Sequence, residues 1–144
     1  MTRRRVVVHT DLFLEHLAGT RTPSVLRVAA RTFFCYTTVF NAIELFAGAR
    51  GARERTAMRH AMGAVKVLGL NARSAVRSGA LFRKHPKADP LLLLVAGLCI
   101  ESGLPLLTNR PAAFRGIRGL RCISGSQVLD HDAGAAVPPA ARRS

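Results

Sequence analysis

Few residues in this chain combine the type and the setting that chemistry needs. Glu44 is a lone carboxylate in the otherwise apolar run around Phe40, Ile43, Leu45 and Phe46. Burial there is costly unless the carboxylate is paired or bound to a cation; the alternative is a surface Glu on an exposed helix face. His9, Thr10 and Asp11 form a polar group directly after the β-branched run Val6 to Val8. Residues i and i+2 of an extended chain project to one side, which places Asp11 on the side of His9, about 6–7 Å further along. Asp89 precedes Pro90 and an apolar run, the pattern of a helix N-cap.

The charge balance narrows the partners. The chain has 22 Lys and Arg against 8 Asp and Glu, a formal net charge of +14. Most of the basic residues are Arg, whose planar fork pairs bidentately with phosphate. The balance points to a polyanion, nucleic acid or an acidic protein segment, with an arginine-rich genome as the bland source of the bias. The three cysteines, Cys35, Cys99 and Cys122, sit among apolar neighbours without metal-ligand spacing. They read as buried, reduced thiols of a cytosolic protein. Neither a Walker loop nor a Gly-x-Gly-x-x-Gly turn is present, which disfavours a nucleotide-binding enzyme. No Ser-x-x-Lys or Gly-x-Ser-x-Gly nucleophile motif occurs.

These residues need a scaffold, and the pattern supplies one. Val6 to Val8 reads as a buried strand, with a helix starting near Leu12. Thr22-Pro23 reads as a cap and first position for a helix over Ser24 to Arg31. Phe33 to Tyr36 is a second strand, and Thr38 caps the helix that carries Glu44. Ala52 to Val65 is a basic helix with Arg53, Arg55 and Arg59, its apolar stripe made by Met58, Met62 and Val65. Lys66 to Leu68 is a third strand, and Asn71 caps a helix running to about Phe82. Leu91 to Ser102 is apolar on every side and belongs in the core, with Gly103 as its stop. Leu104 to Leu107 and Leu120 to Ile123 complete five short strands. Strands alternating with helices predict a mostly parallel sheet covered on both faces. Residues 1–129 form the domain, and 130–144, rich in Ala, Pro and Arg, read as a disordered basic tail. Val6 to Val8 is too short for a signal-peptide core, and Leu91 to Ile100 is roughly half a bilayer span, so a cytoplasmic protein without a membrane segment is expected.

Three ordered segments resemble the PIN-domain family of VapC-type toxin ribonucleases. Val6 to Leu14 is similar to the opening strand and its Asp-Thr-x-Val-Leu-Ile motif. Tyr36 to Ala49 is similar to Ser-x-x-Thr-x-x-Glu-Leu-x-x-Gly-Ala. Leu94 to Thr108 is similar to Leu-Ile-Ala-Ala-x-Ala-x-x-x-Gly-x-x-Leu-x-Thr, and Phe114 to Leu120 fits the ending Phe-x-x-Ile-x-Gly-Leu. The resemblance spans Val6 to Ile123. It implies a three-layer α/β/α PIN-like fold with a central sheet of about five short strands. It also implies a divalent-metal endoribonuclease toxin of a toxin–antitoxin pair, hydrolysing RNA phosphodiester bonds. In that family, carboxylates converge at the carboxyl edge of the sheet and hold Mg²⁺ or Mn²⁺.

Carried over position by position, the pattern holds at some places and breaks at others. The first acidic position falls on His9, with Asp11 two residues on; His9 is either a ligand or a solvated polar residue at a strand end. Glu44 falls on the second position. The third falls on Leu92, with Asp89 three residues upstream, and a fourth polar position, Asp or Asn in the family, falls on Arg110, beside Asn109. The resemblance therefore implies catalytic Glu44 and Asp11, and a weakly held cation on Asp11, Glu44 and Asp89. It adds a rim of His9, Thr10, Thr108 and Asn109, and phosphate contacts from Arg50, Arg53, Arg110 and Arg115. The implied partners are RNA, an antitoxin protein and a second copy in a homodimer. The alternative is an impaired PIN domain that binds RNA or an acidic protein without cleavage.

Overall fold

The computed structural model describes residues 3–136. Strand β1 (Arg5–Val8) leads into helix α1 (Thr10–Ala18), followed by α2 (Val25–Thr32), β2 (Phe34–Thr38), α3 (Val39–Ala47) and α4 (Ala52–Met62). Then come β3 (Lys66–Leu68), α5 (Ala72–Lys84), α6 (Pro90–Ser102), β4 (Leu106–Thr108), a 3₁₀ turn (Pro111–Phe114), β5 (Cys122–Ser124) and α7 (Gly125–Ala136). The five strands form one sheet in the order β3-β2-β1-β4-β5, and every pairing is parallel.

Side-chain alternation along β1 divides the core in two. Val6 and Val8 pack with residues of α1, α2, α4 and α7 and with Leu45 of α3. Val7 faces the other layer, built chiefly from α5 and α6 with Phe114 and Ile117. Both faces of β1 are thus covered, which explains why it is apolar at consecutive positions rather than alternating. Helix α6 buries Leu93 and Val95 to Cys99, as its all-round hydrophobicity requires.

Polar residues set the helix ends. Thr38 accepts the backbone N–H of Asn41 at 3.1 Å and so caps α3. Asn71 and Ser74 form a reciprocal capping box on α5. Asp89 accepts the Leu91 N–H at 3.0 Å ahead of Pro90, the capping role its sequence suggests. Gly103 ends α6 with φ of 68°, a left-handed conformation that glycine tolerates without a Cβ penalty.

Several expectations are corrected. Thr22 and Pro23 lie ahead of α2; its cap is Ser24, whose hydroxyl accepts the Arg27 N–H at 3.1 Å. β4 and β5 each lie about two residues later than their hydrophobic runs suggest. The tail expected from Asp130 instead begins inside α7, which runs on to Ala136; residues 137–144 lie outside the described residues. Glu101 accepts the Ser74 hydroxyl at 2.7 Å and ties α6 to α5. Among the described residues no helix is long and apolar enough to cross a membrane.

The cysteines differ in reach. Burial pushes the Cys35 thiol up to about 11 and Cys99 up to about 12. Cys122 is also raised by burial but is only partly covered. Reactivity follows thiolate content and access. At pH 8 a chromogenic thiol reagent is expected to label Cys122 first in the native protein. Cys35 and Cys99 should react only on unfolding; fast native labelling of Cys99, mapped by peptide mass, contradicts this packing.

Candidate functional site

β1 lies between β2 and β4; its own connection to β2 runs over one face through α1 and α2, whereas the connection from β4 to β5 packs Phe114 and Ile117 on the other. The crevice outside the carboxyl ends of β1 and β4 is where open α/β sheets bind ligands. His9 follows β1 directly, and Thr108 is the last residue of β4.

Asp11 does not lie on an extended continuation of β1. It is the second residue of α1, with His9 in the cap position, so the expected strand geometry is replaced by a helix turn. The carboxylate still reaches the rim. Its Oδ2 accepts the Thr108 hydroxyl at 2.8 Å and the Asn109 N–H at 2.9 Å. Thr108 Oγ1 in turn accepts the Arg110 N–H at 3.0 Å. The other oxygen, Asp11 Oδ1, is buried and has no hydrogen-bond partner. A carboxylate in the first turn also sits favourably at the positive end of α1.

A second polar network lies behind His9. Asn41, 1% exposed, directs its Nδ2 to His9 Nδ1 at 3.0 Å and to Thr10 Oγ1 at 2.8 Å. Its Oδ1 accepts the Thr38 hydroxyl at 2.7 Å. Phe114 meets the His9 ring edge-on, with centroids 5.1 Å apart and planes at 87°. Burial lowers the His9 pKa; Asp11 and Glu44 oppose that shift, and Arg110 adds to it.

Two cavities open on this rim. The larger, about 680 Å³, is lined by His9, Asp11, Glu44, Arg50, Glu54 and Arg110 beside an apolar wall that includes Leu14, Leu45 and Met58. The smaller, about 180 Å³, is shared by His9, Asp11, Glu44, Asp89, Thr108 and Arg110. Four of the eight acidic residues of a +14 chain therefore stand here: Asp11, Glu44, Glu54 and Asp89. Glu44 is exposed, so the burial argument for it does not operate; it reaches the rim from the solvent side of α3. Leu92 lines the smaller cavity at the third acidic position. Among the described residues, no three His, Cys, Asp or Glu side chains come close enough to hold a metal together. Arg50 and Arg110 line the cavities, whereas Arg53 and Arg115 are exposed and line neither. Thr10 and Thr108 are buried in hydrogen bonds.

Three contributors escape a reading of the sequence. Asn41 sits in an apolar helix, and its only signal is its place three residues after the cap Thr38. Glu54 accepts the Arg50 N–H at 3.1 Å and joins the larger cavity. Glu15 accepts the Asn109 Nδ2–H at 2.8 Å and the Val25 N–H at 2.9 Å. It thereby links the β4 loop to α1 and α2.

This strand order, layering and rim constitute the PIN-domain fold. It is shared with toxin–antitoxin complexes of the VapBC type. The structure is similar to a chain of VapBC2 from Rickettsia felis bound to a promoter DNA fragment, with TM-score 0.71 and 12% identity over 83% of this chain and 98% of that one. It is similar to VapBC-1 from nontypeable Haemophilus influenzae, with TM-score 0.71 and 13% identity over 85% and 98%. DNA-bound VapBC from Salmonella typhimurium gives 0.70 and 19% over 86% and 99%. Identities this low show the fold alone. No family model and no curated protein sequence matches the chain.

The Asp11 contacts make a stability prediction. Asp11→Ala strands the Thr108 hydroxyl and the Asn109 N–H and should cost about 1–3 kcal/mol, read as a lower urea midpoint. Asp11→Asn retains an acceptor and should cost much less; equal losses in both variants contradict the assignment. A second test concerns Gly125, where an added Cβ would collide with the Asn109 carboxamide oxygen. Gly125→Ala is expected to turn the exposed Asn109 side chain aside and break its bond to Glu15, a loss of about 0.5–1.5 kcal/mol, and a neutral midpoint would refute that contact.

Proposed function

We propose that this chain is an endoribonuclease of the toxin type, hydrolysing RNA phosphodiester bonds at the β1–β4 rim with a weakly held divalent cation. The observation that carries the reading is that Asp11 and Glu44, far apart in sequence, line the same two cavities. The concentration of acids there, in a chain otherwise dominated by Arg, supports it. The unpartnered Asp11 Oδ1 adds support, because a bound cation relieves a buried carboxylate oxygen. Mg²⁺ is commonly held by one or two carboxylates, with waters and substrate phosphate completing its shell, and Mn²⁺ also suits oxygen donors. Asp11 and Glu44 fit one such cation; Asp89 is engaged in capping α6 and is left outside the set. When bound, the cation would supply charge stabilisation at the phosphate and a more acidic water. Arg50 and Arg110 would hold phosphate oxygens, with Arg53 and Arg115 contributing along the RNA from outside the cavities. The Asp11 contacts to Thr108 and Asn109 would keep the carboxylate in place. Similarity to toxin–antitoxin complexes supports an antitoxin protein as partner, and a homodimer in the cytoplasm belongs to the same reading.

A second reading, RNA or acidic-partner binding without cleavage, is favoured by one observation. His9 and Leu92 stand at positions that the resemblance gives to acids, and Arg110 at one that it gives to Asp or Asn. Cleavage of structured RNA with Mg²⁺ or Mn²⁺, by the wild type and by Glu44→Gln, separates the two. Glu44 is exposed, so its substitution leaves the core untouched. The nuclease reading expects a loss of at least tenfold, about 1.4 kcal/mol of barrier. RNA binding without cleavage by either protein supports the second reading. No RNA affinity at moderate salt overturns both as far as RNA is concerned.

A further inference from the structure

The hydrogen bonds around Asn41 determine where His9 carries its proton. Thr38 Oγ1 accepts the Asn41 N–H, so its own hydroxyl hydrogen needs another acceptor. Asn41 Oδ1, at 2.7 Å, is that acceptor. The amide is oriented by this demand: its oxygen faces Thr38, and its NH₂ faces Thr10 and His9 Nδ1. Asn41 and Thr38 are both buried, and buried polar groups of this kind are satisfied rather than left open. A ring nitrogen facing an NH₂ must present a lone pair. The neutral imidazole therefore holds its hydrogen on Nε2.

Nε2 has a different setting. Among the described residues no protein group bonds to it, and Asp11 Oδ1 is the only buried side-chain polar atom left without a partner. Nε2 is therefore open, and His9 lines both cavities. An Nε2–H has no lone pair to offer a cation. Moving the hydrogen to Nδ1 would set one donor against another beside the buried Asn41 amide, at the cost of the bonds that orient it. The edge-on contact with Phe114 and the Asn41 bond together hold the ring against rotation.

We infer that His9 is a fixed Nε2–H donor that contacts a phosphate oxygen of bound RNA, rather than a ligand of the cation. The choice of RNA rests on the reading of the preceding subsection; the tautomer does not. The carboxylates lining the rim repel a bare phosphate, so attraction must come from donors that carry no negative charge. His9 is one, and Arg50 and Arg110 are others. The residue at the family's first acidic position thus changes sides, from holding the metal to holding the anion.

Nitrogen-15 NMR of the wild-type protein at pH 8 tests the tautomer directly. A pyridine-like Nδ1 and a pyrrole-like Nε2 are expected for His9, and the reverse pattern overturns the inference. Two binding measurements test the role: Mn²⁺ alone, and a short single-stranded RNA in the presence of EDTA. His9→Ala should weaken RNA binding about three- to tenfold, the loss of one hydrogen bond, and change Mn²⁺ affinity less than about twofold. His9→Asp should move the two affinities oppositely, tightening Mn²⁺ and weakening RNA. Equal loss of Mn²⁺ and RNA affinity in His9→Ala, or unchanged RNA affinity, overturns the assignment. His9-dependent RNA binding without cleavage would sink the nuclease reading and leave this inference standing. Cleavage with the opposite tautomer would do the reverse.

Discussion

The rim depends on one carboxylate. Asp11 joins the first turn of α1 to the end of β4, across 97 positions of sequence, by accepting from Thr108 and Asn109 with a single oxygen. The two apolar layers hold the sheet flat between its helices, but hydrophobic contact is non-directional and does not fix spacing at the crevice. Short polar bonds do that. Thr37 donates to the Val8 carbonyl at 2.7 Å, Glu15 bridges Asn109 and Val25, and Asn41 binds Thr10 and His9. The Thr37 and Asn41 bonds use short side chains in covered places, so they are costly to break and leave little play, whereas the Glu15 bridge is more open. Asp11 is unusual among them because half of its carboxylate is spent on structure and half is not.

The scaffold was legible wherever a residue type has one dominant local meaning. A run of valines between polar residues is a buried strand, Asn71 before a helical pattern is a cap, and Asp89-Pro90 opens a helix. The helix position of Asp11 was not legible, because His-Thr-Asp carries no period that separates a strand end from a first turn. Helix α7 was hidden for a related reason. Among the described residues Val128 is its one deeply buried apolar side chain, and Gly125, Gly134 and two aspartates obscure any stripe. Thr22-Pro23 looked like a helix opening, yet the serine one residue later has the hydroxyl in range.

The candidate site was legible in membership and not in mechanism. Glu44 was singled out by a burial argument that its exposure removes, and it reaches the rim all the same because α3 starts at the carboxyl end of β2. Asn41 could not be found from sequence, since its meaning lies in His9, 32 positions away. An asparagine in an apolar helix is neutral information until its partners are known. The same holds for Arg110, which turns from a departure in a motif into a cation beside three carboxylates once the smaller cavity is seen.

The central place of β1 also sets an order of assembly. Its Val6 and Val8 face meets α1 and α2 early in the chain, but the Val7 face waits for α6, and the second edge of its ladder waits for β4 at Leu106. During synthesis on the ribosome, the valine-rich β1 emerges about a hundred residues before its last neighbour, β4. Non-local parallel pairing of this kind is slow. A nascent chain therefore carries the Val7 face and one edge of β1 uncovered until α6 and β4 are made, and any stop before α6 leaves a half-built sheet with an exposed edge.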